Sequence, residues 1–148
     1  MPSAGKSGME PALQVQETAS FEHRQVVLDA LIDYNRATGP ATQAEWLAIL
    51  VLDAEGDAVG GLWGKTIYDW LVIELVAVPE IMRGAGLGSR LMTKAEQEAQ
   101  RRGCIGAWLD TFSFQARGFY ERLGYSVSGV IEDHPVGGAR FIMSKRFA

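Results

Sequence analysis

Residues 70–78, WLVIELVAV, are apolar at every position except Glu74 and stop against Pro79. A run with no polar face belongs in the middle of a sheet, covered on both sides. Residues 81–92, IMRGAGLGSRLM, then set Gly84, Gly86 and Gly88 behind Arg83. Leu87, Leu91, Ala95 and Ala99 follow at intervals of four, with Lys94, Glu96, Glu98, Arg101 and Arg102 between them, and Gly103 stands where a helix ends. Strand, short glycine loop and amphipathic helix in this order demand a layered α/β domain.

The same order gathers a row of backbone N–H groups and the positive end of a helix at one place, which is an anion site. Glycines at 84, 86 and 88 let the loop reach positive φ and let a phosphate approach without meeting a Cβ, and Arg83 adds a charge suited to phosphate oxygens. Two other readings use the same residues. A dinucleotide fingerprint needs glycine where Ser89 stands and a ribose-binding acid near residues 100–103, where there is none. A plain tight turn accounts for one glycine but poorly for three beside an arginine.

Elsewhere the pattern predicts a short strand over 13–17, a helix capped by Thr18 or Ser20 that carries Val26, Val27, Ala30, Leu31 and Tyr34, and its end at Gly39-Pro40. Strands over 46–52 and 58–67 flank a turn at Glu55-Gly56-Asp57. A strand over 104–109, a helix over 114–123 closed by Gly124, and strands over 125–131 and 140–147 around Gly137-Gly138 complete the chain. The expectation is a mixed α/β fold of about seven strands and three or four helices.

A chain of 148 residues with 47% hydrophobic content suits one core. Residues 1–10 read as a disordered tail and 11–148 as a single domain. Gly5-Lys6-Ser7 in that tail lacks the upstream glycine and strand of a phosphate loop. The net charge of −4, without blocks of like charge, argues against a nucleic-acid partner and suits a cationic substrate. No apolar run approaches a membrane span, so the expected location is the cytoplasm, with no membrane partner. Cys104 is the only cysteine, which leaves no internal disulfide and no cysteine-rich metal site; a small buried thiol is expected.

Arg83-Gly84-Ala85-Gly86-Leu87-Gly88, preceded by Val76-Ala77-Val78-Pro79-Glu80, resembles the acetyl-coenzyme A signature of the GNAT superfamily of N-acetyltransferases. A second stretch, Ser113-Phe114-Gln115-Ala116-Arg117-Gly118-Phe119-Tyr120-Glu121-Arg122-Leu123-Gly124-Tyr125, resembles that family's N-x-x-A-x-x-F-Y-x-x-x-G-F helix. The resemblance covers about 46–147. Ser113 stands where the family often has asparagine, and Tyr125 where it has phenylalanine.

The resemblance implies a mostly antiparallel central sheet of six or seven strands flanked by helices, with a splay between the two central strands, and acetyl-coenzyme A as cosubstrate. Backbone groups of Val76, Ala77 and Val78 would pair with the pantetheine arm. Amides from Arg83 through Gly84, Ala85, Gly86, Leu87 and Gly88 to Ser89 would hold the pyrophosphate, and Ser113, Ala116 and Tyr120 would complete the coenzyme site. Tyr120 matches the position whose hydroxyl points at the coenzyme sulfur, where a phenol can protonate a leaving thiolate; filling the core is its other reading.

Glu74 is the lone carboxylate in an apolar strand, so it must face a partner or a wet cavity. By simple alternation it shares a face with Val72, Val76 and Val78 and suits a base for an incoming ammonium; a cross-strand pair with Lys65 is the other reading. His134 is a second candidate acceptor or a turn residue, His23 a solvated one, and the two lie too far apart for a metal site. Trp46, Trp63, Tyr68 and Trp70 are candidates for an aromatic-walled acceptor cleft, and Asp53, Glu55 and Asp57 for attracting cations or building a turn. A small-molecule amine fits better than a protein tail, acting on a monomer or homodimer. A non-catalytic acyl-coenzyme A sensor on the same fold is the rival from another class.

Overall fold

The computed structural model describes residues 10–148; the Gly5-Lys6-Ser7 tail lies outside them. The described residues divide into two compact units between Ala41 and Thr42. In the first, helix α1 (Phe21–Thr38) starts at Ser20, whose hydroxyl accepts from the His23 amide while His23 Nδ1 accepts from the Ser20 amide, both at 3.1 Å. This reciprocal pair satisfies two N–H groups that a helix start leaves free. His23 is thus a cap and not merely solvated. Residues 13–17 form no strand; alternation alone makes no ladder.

The second unit is a six-stranded sheet in the order β1-β2-β3-β4-β6-β5. Its strands are β1 (Glu45–Leu52), β2 (Ala58–Ile67), β3 (Trp70–Ala77), β4 (Gly106–Phe112), β5 (Ser126–Glu132) and β6 (Ala139–Arg146), with helix α2 (Leu87–Arg101) before β4 and α3 (Arg117–Arg122) after it. All pairs are antiparallel except β3 with β4. The mixed sheet with helices against it is the expected fold class, and the apolar run 70–78 lies centrally as β3. The helix expected over 114–123 is only α3, because residues 113–116 make a turn in which Gln115 Oε1 accepts from the Phe112 amide at 2.8 Å.

The core lies between one sheet face and α2. Leu47, Val51, Leu62, Leu71 and Ile73 meet Leu91, Met92, Ala95 and Ala99 of the helix, joined by Ala107, Leu109 and Met143. Ala95 and Ala99 are fully buried and small, so the helix axis comes close to the sheet. Leu71, fully buried, contributes about 2 kcal/mol by leaving water. Cys104 is buried, and its thiol pKa is raised by desolvation.

Two irregularities shape the middle of the sheet. Gly64 is opposite Ile73 but Trp63 is opposite Leu75, so Glu74 has no partner and forms a β-bulge. Pairing of β3 with β4 consists of Trp70 with Gly106, Leu71 with Ala107 and Val72 with Trp108, and ends there. A bulge bends its strand, and this one lies just where that ladder stops. Beyond Val72 the two central strands part.

Candidate active site

The parting opens a cleft of about 1040 Å³. Glu74, Leu75, Val76 and Val78 line one wall, and Leu109, Asp110, Thr111 and Phe112 the other. The loop before α2 and its first turn close one side through Arg83, Gly84, Gly86, Leu87, Gly88 and Ser89. Ala116, Phe119 and Tyr120 close another. Backbone groups of β3 that would have paired with β4 face this space, and polar backbone left without a partner calls for one.

At the start of α2 the first helical bond runs from the Arg90 amide to the Gly86 carbonyl at 3.0 Å. The amides of Leu87, Gly88 and Ser89 therefore have no intrahelical acceptor, no side chain caps them, and no acidic residue stands in the first turn. Gly84 (φ +88°) and Gly86 (φ +75°) are left-handed, and a Cβ on either would point into open space. Three bare amides at a helix N-terminus in a cleft suit a phosphate group. Arg83 donates from Nε to the Val78 carbonyl at 3.1 Å, which ties the loop to the strand end and leaves its terminal nitrogens for an anion. Gly88 differs from the expectation: its φ is ordinary, and a Cβ there would sit 3.1 Å from Cζ of Phe119. It is glycine so that α2 and α3 can approach.

Tyr120 is half-buried, edge-on to Phe119 at 5.0 Å and to Tyr125 at 6.2 Å. Its hydroxyl has no hydrogen-bond partner among the described residues, and burial raises its pKa. It faces the cleft as a phenol, able to give a proton and not to take one. Filling the core and facing the cleft turn out to be compatible.

Glu74 lines the cleft and also stands 3.9 Å from Lys65 Nζ. The cross-strand pair with Lys65 and the exposure to a cleft therefore coexist. The face expected for it is corrected by the bulge: Ile73 points inward before it and Val76 packs on the core after it, so Glu74 shares the outer side with Val72 and Lys65, not with Val76 and Val78.

Of the expected coenzyme residues, Val76, Val78, Arg83, Gly84, Gly86, Leu87, Gly88, Ser89, Ala116 and Tyr120 line the cleft. Ala77, Ala85 and Ser113 do not. Ala77 is turned to β2, opposite Gly61. Ser113 Oγ accepts from the Ala139 amide at 3.0 Å and its own amide donates to the Ala139 carbonyl at 2.8 Å, so it fastens β4 to β6. None of Trp46, Trp63, Tyr68 and Trp70 is in the cleft: Trp46 and Trp63 lie against each other at 5.3 Å on the outer face, and Tyr68 is in the turn between β2 and β3. Asp53 Oδ1 accepts from the amides of Glu55 and Asp57 at 2.9 Å each, which is turn chemistry.

The aromatic wall comes instead from Phe112 and Phe114, stacked at 5.3 Å, with Asp110 beside them held by Arg140 at 2.6 Å. His134 backs this group, accepting from Arg140 at 3.1 Å and standing edge-on to Phe112, outside the cleft lining. Extending the alternation of GAWLDTF to Phe112 would have placed Trp108, Asp110 and Phe112 on one face; ending the strand at 109 hid them. Among the described residues no group of three or more metal-ligating side chains occurs, and no helix is long and apolar enough to cross a membrane.

Residues 12–125 match the family model of the acetyltransferase (GNAT) family. Acetyltransferase Atu2258 of Agrobacterium fabrum is 35% identical over 133 residues, which are 90% of this chain and 97% of that protein. Blasticidin-S acetyltransferase of Streptomyces morookaense is 41% identical over 106 residues, 71% of this chain and 78% of that protein. A crystal structure from Agrobacterium tumefaciens superposes with a TM-score of 0.87 at 34% identity, covering 93% of this chain and all of that one.

Proposed function

The chain belongs to the acetyltransferase (GNAT) family, and from that premise we propose that it moves the acetyl group of acetyl-coenzyme A to a primary amine of a small molecule, with both reactants bound together. The observation that carries this reading is the cleft itself. It runs from three uncapped amides at the start of α2, along an unpaired strand edge, to the free hydroxyl of Tyr120.

Acetyl-coenzyme A supplies the activated acyl thioester. The amides of Leu87, Gly88 and Ser89, with Arg83, suit its diphosphate, and the β3 edge from Ile73 to Val78 suits the amide-bearing pantetheine arm as an added strand. Glu74 takes a proton from the acceptor's ammonium, directly or through water, so that the nitrogen has a lone pair. The Val78 N–H meets the charge that grows on the carbonyl oxygen. Tyr120, kept protonated by its burial, gives its proton to the departing sulfur. A small-molecule acceptor is favoured by the 41% identity to a blasticidin-S acetyltransferase and by the short aromatic wall of Phe112 and Phe114.

Thiol release measured with a panel of small amines and of basic peptides tests the reading. Turnover with small amines and not with peptides is expected; the reverse would move the acceptor to protein tails, and tight coenzyme binding without turnover on any amine would make the protein a sensor. Tyr120→Phe should lower kcat by about 100-fold while the coenzyme Kd stays within about twofold. Equal kcat in the two proteins would remove the hydroxyl from the reaction.

A further inference from the structure

A partly buried polar cluster lies behind the cleft and takes no part in the proposed reaction. Tyr125 is 3% exposed, yet its hydroxyl has a partner: it donates to Glu96 Oε2 at 2.8 Å. The other oxygen of Glu96 accepts from Lys145 Nζ at 2.8 Å, and the same ammonium donates to the Leu123 carbonyl at 2.8 Å. Three elements meet at that ammonium: α2 through Glu96, β6 through Lys145, and the end of α3 through Leu123, its C-cap. The Lys145 stem also runs along Gly124, where a Cβ would lie 3.4 Å from Cε.

α3 has six residues, too few to hold its own shape. Its last turn is closed by the bond from the Tyr125 amide to the Tyr120 carbonyl at 3.1 Å, and the two rings pack in a T-shaped pair with centroids 6.2 Å apart. The position of the Tyr120 hydroxyl therefore depends on where Tyr125 and Leu123 are held. We propose that Lys145, Glu96 and Tyr125 form a clamp that sets the position of the Tyr120 hydroxyl in the cleft, and that they are positioning residues for the transfer. Acyl-transfer geometry is sensitive: a displacement of about 1 Å can cost about 100-fold in rate. A hydroxyl at position 125 lets this chain hold the helix end by hydrogen bonds where phenylalanine would hold it by packing alone.

The proposal rests on Tyr120 as the proton donor, and its test separates the two. Lys145→Met removes both bonds of the ammonium and should lower kcat by about tenfold with the KM for acetyl-coenzyme A within about twofold. Tyr125→Phe, which removes one oxygen and is the variant to use should Lys145→Met not fold, should lower kcat by about threefold. In the Tyr120→Phe background neither substitution should change kcat further, because no hydroxyl remains to be placed; a loss as large there as in the parent overturns the proposal. The ring signal of isotope-labelled Tyr120 gives a reading independent of turnover: it should shift or broaden in both variants, and an unmoved signal overturns the proposal. If Tyr120→Phe turns over at the full rate, the reading of Tyr120 fails, and the ring signal alone then decides whether the clamp places that side chain.

Discussion

The two ends of α2 treat the same problem in opposite ways. Every helix leaves amides free at its start and carbonyls free at its finish. At the finish, the Gly103 amide reaches the Gln100 carbonyl at 3.0 Å and the Cys104 amide the Ala99 carbonyl at 2.9 Å, closing a Schellman motif. Arg102 then donates to Glu98, to Thr66 and to the Glu45 and Trp46 carbonyls at 3.0–3.2 Å, tying the helix end to β1 and β2. At the start nothing is closed: no capping side chain, no acid, and glycines whose missing Cβ atoms leave the amides open. One end is tied into the fold and the other is left open to the cleft. The uncapped start is tolerated because the rest of the helix is well anchored in the core.

That contrast can be broken most sharply at Gly86. Gly86→Val puts a side chain into the space over the amides and forces a β-branched residue to φ +75°, so calorimetry should find coenzyme affinity lowered by at least about 100-fold. The added Cβ meets no atom within 4 Å, so the cost to the fold is the backbone strain at φ +75°, about 1–3 kcal/mol. Unchanged affinity would remove the loop from the site. Arg102→Ala works at the other end. It should cost about 2–3 kcal/mol of stability in urea melts while coenzyme affinity stays within about twofold; a large loss of affinity would mean that the two ends are not independent.

A smaller effect separates the ends by pH. Hydrogen bonds from Arg101 and then Arg102 hold the Glu98 carboxyl down at about 2, below the about 4.3 of an unfolded glutamate. A carboxyl depressed in the folded chain stabilises it above the unfolded value, and that contribution is lost as pH falls through the interval between the two. Stability should fall between about pH 4.5 and 2, and Glu98→Gln should flatten that part of the curve; an unchanged slope would show the pairing to be too solvated to matter.

Legibility varied with how local each cause is. The helical stripe of Leu87, Leu91, Ala95 and Ala99, the stop at Gly103 and the placement of 70–78 inside the sheet all followed from periodicity, which records a single burial direction per element. Most of the cleft wall formed by β3, the loop and α2 was readable for the same reason, since a strand, a glycine loop and a helix start are consecutive. Asp110, Phe112, Phe114 and Arg140 were missed because they come together only when β6 lies beside β4. Ser113 does not line the cleft because its hydroxyl is committed to Ala139, 26 residues away.

By itself the sequence determined most of the sheet strands, the core stripe and the bare amides at the start of α2, because each depends on neighbours within a few residues. Only the tertiary structure decided which way Glu74 faces, where the two central strands part, and that Lys145 and Glu96 stand behind Tyr120. A bulge has no signature in a run of apolar residues; it exists only when one strand must pair with another, and one unpaired residue there turns every later side chain to the opposite face.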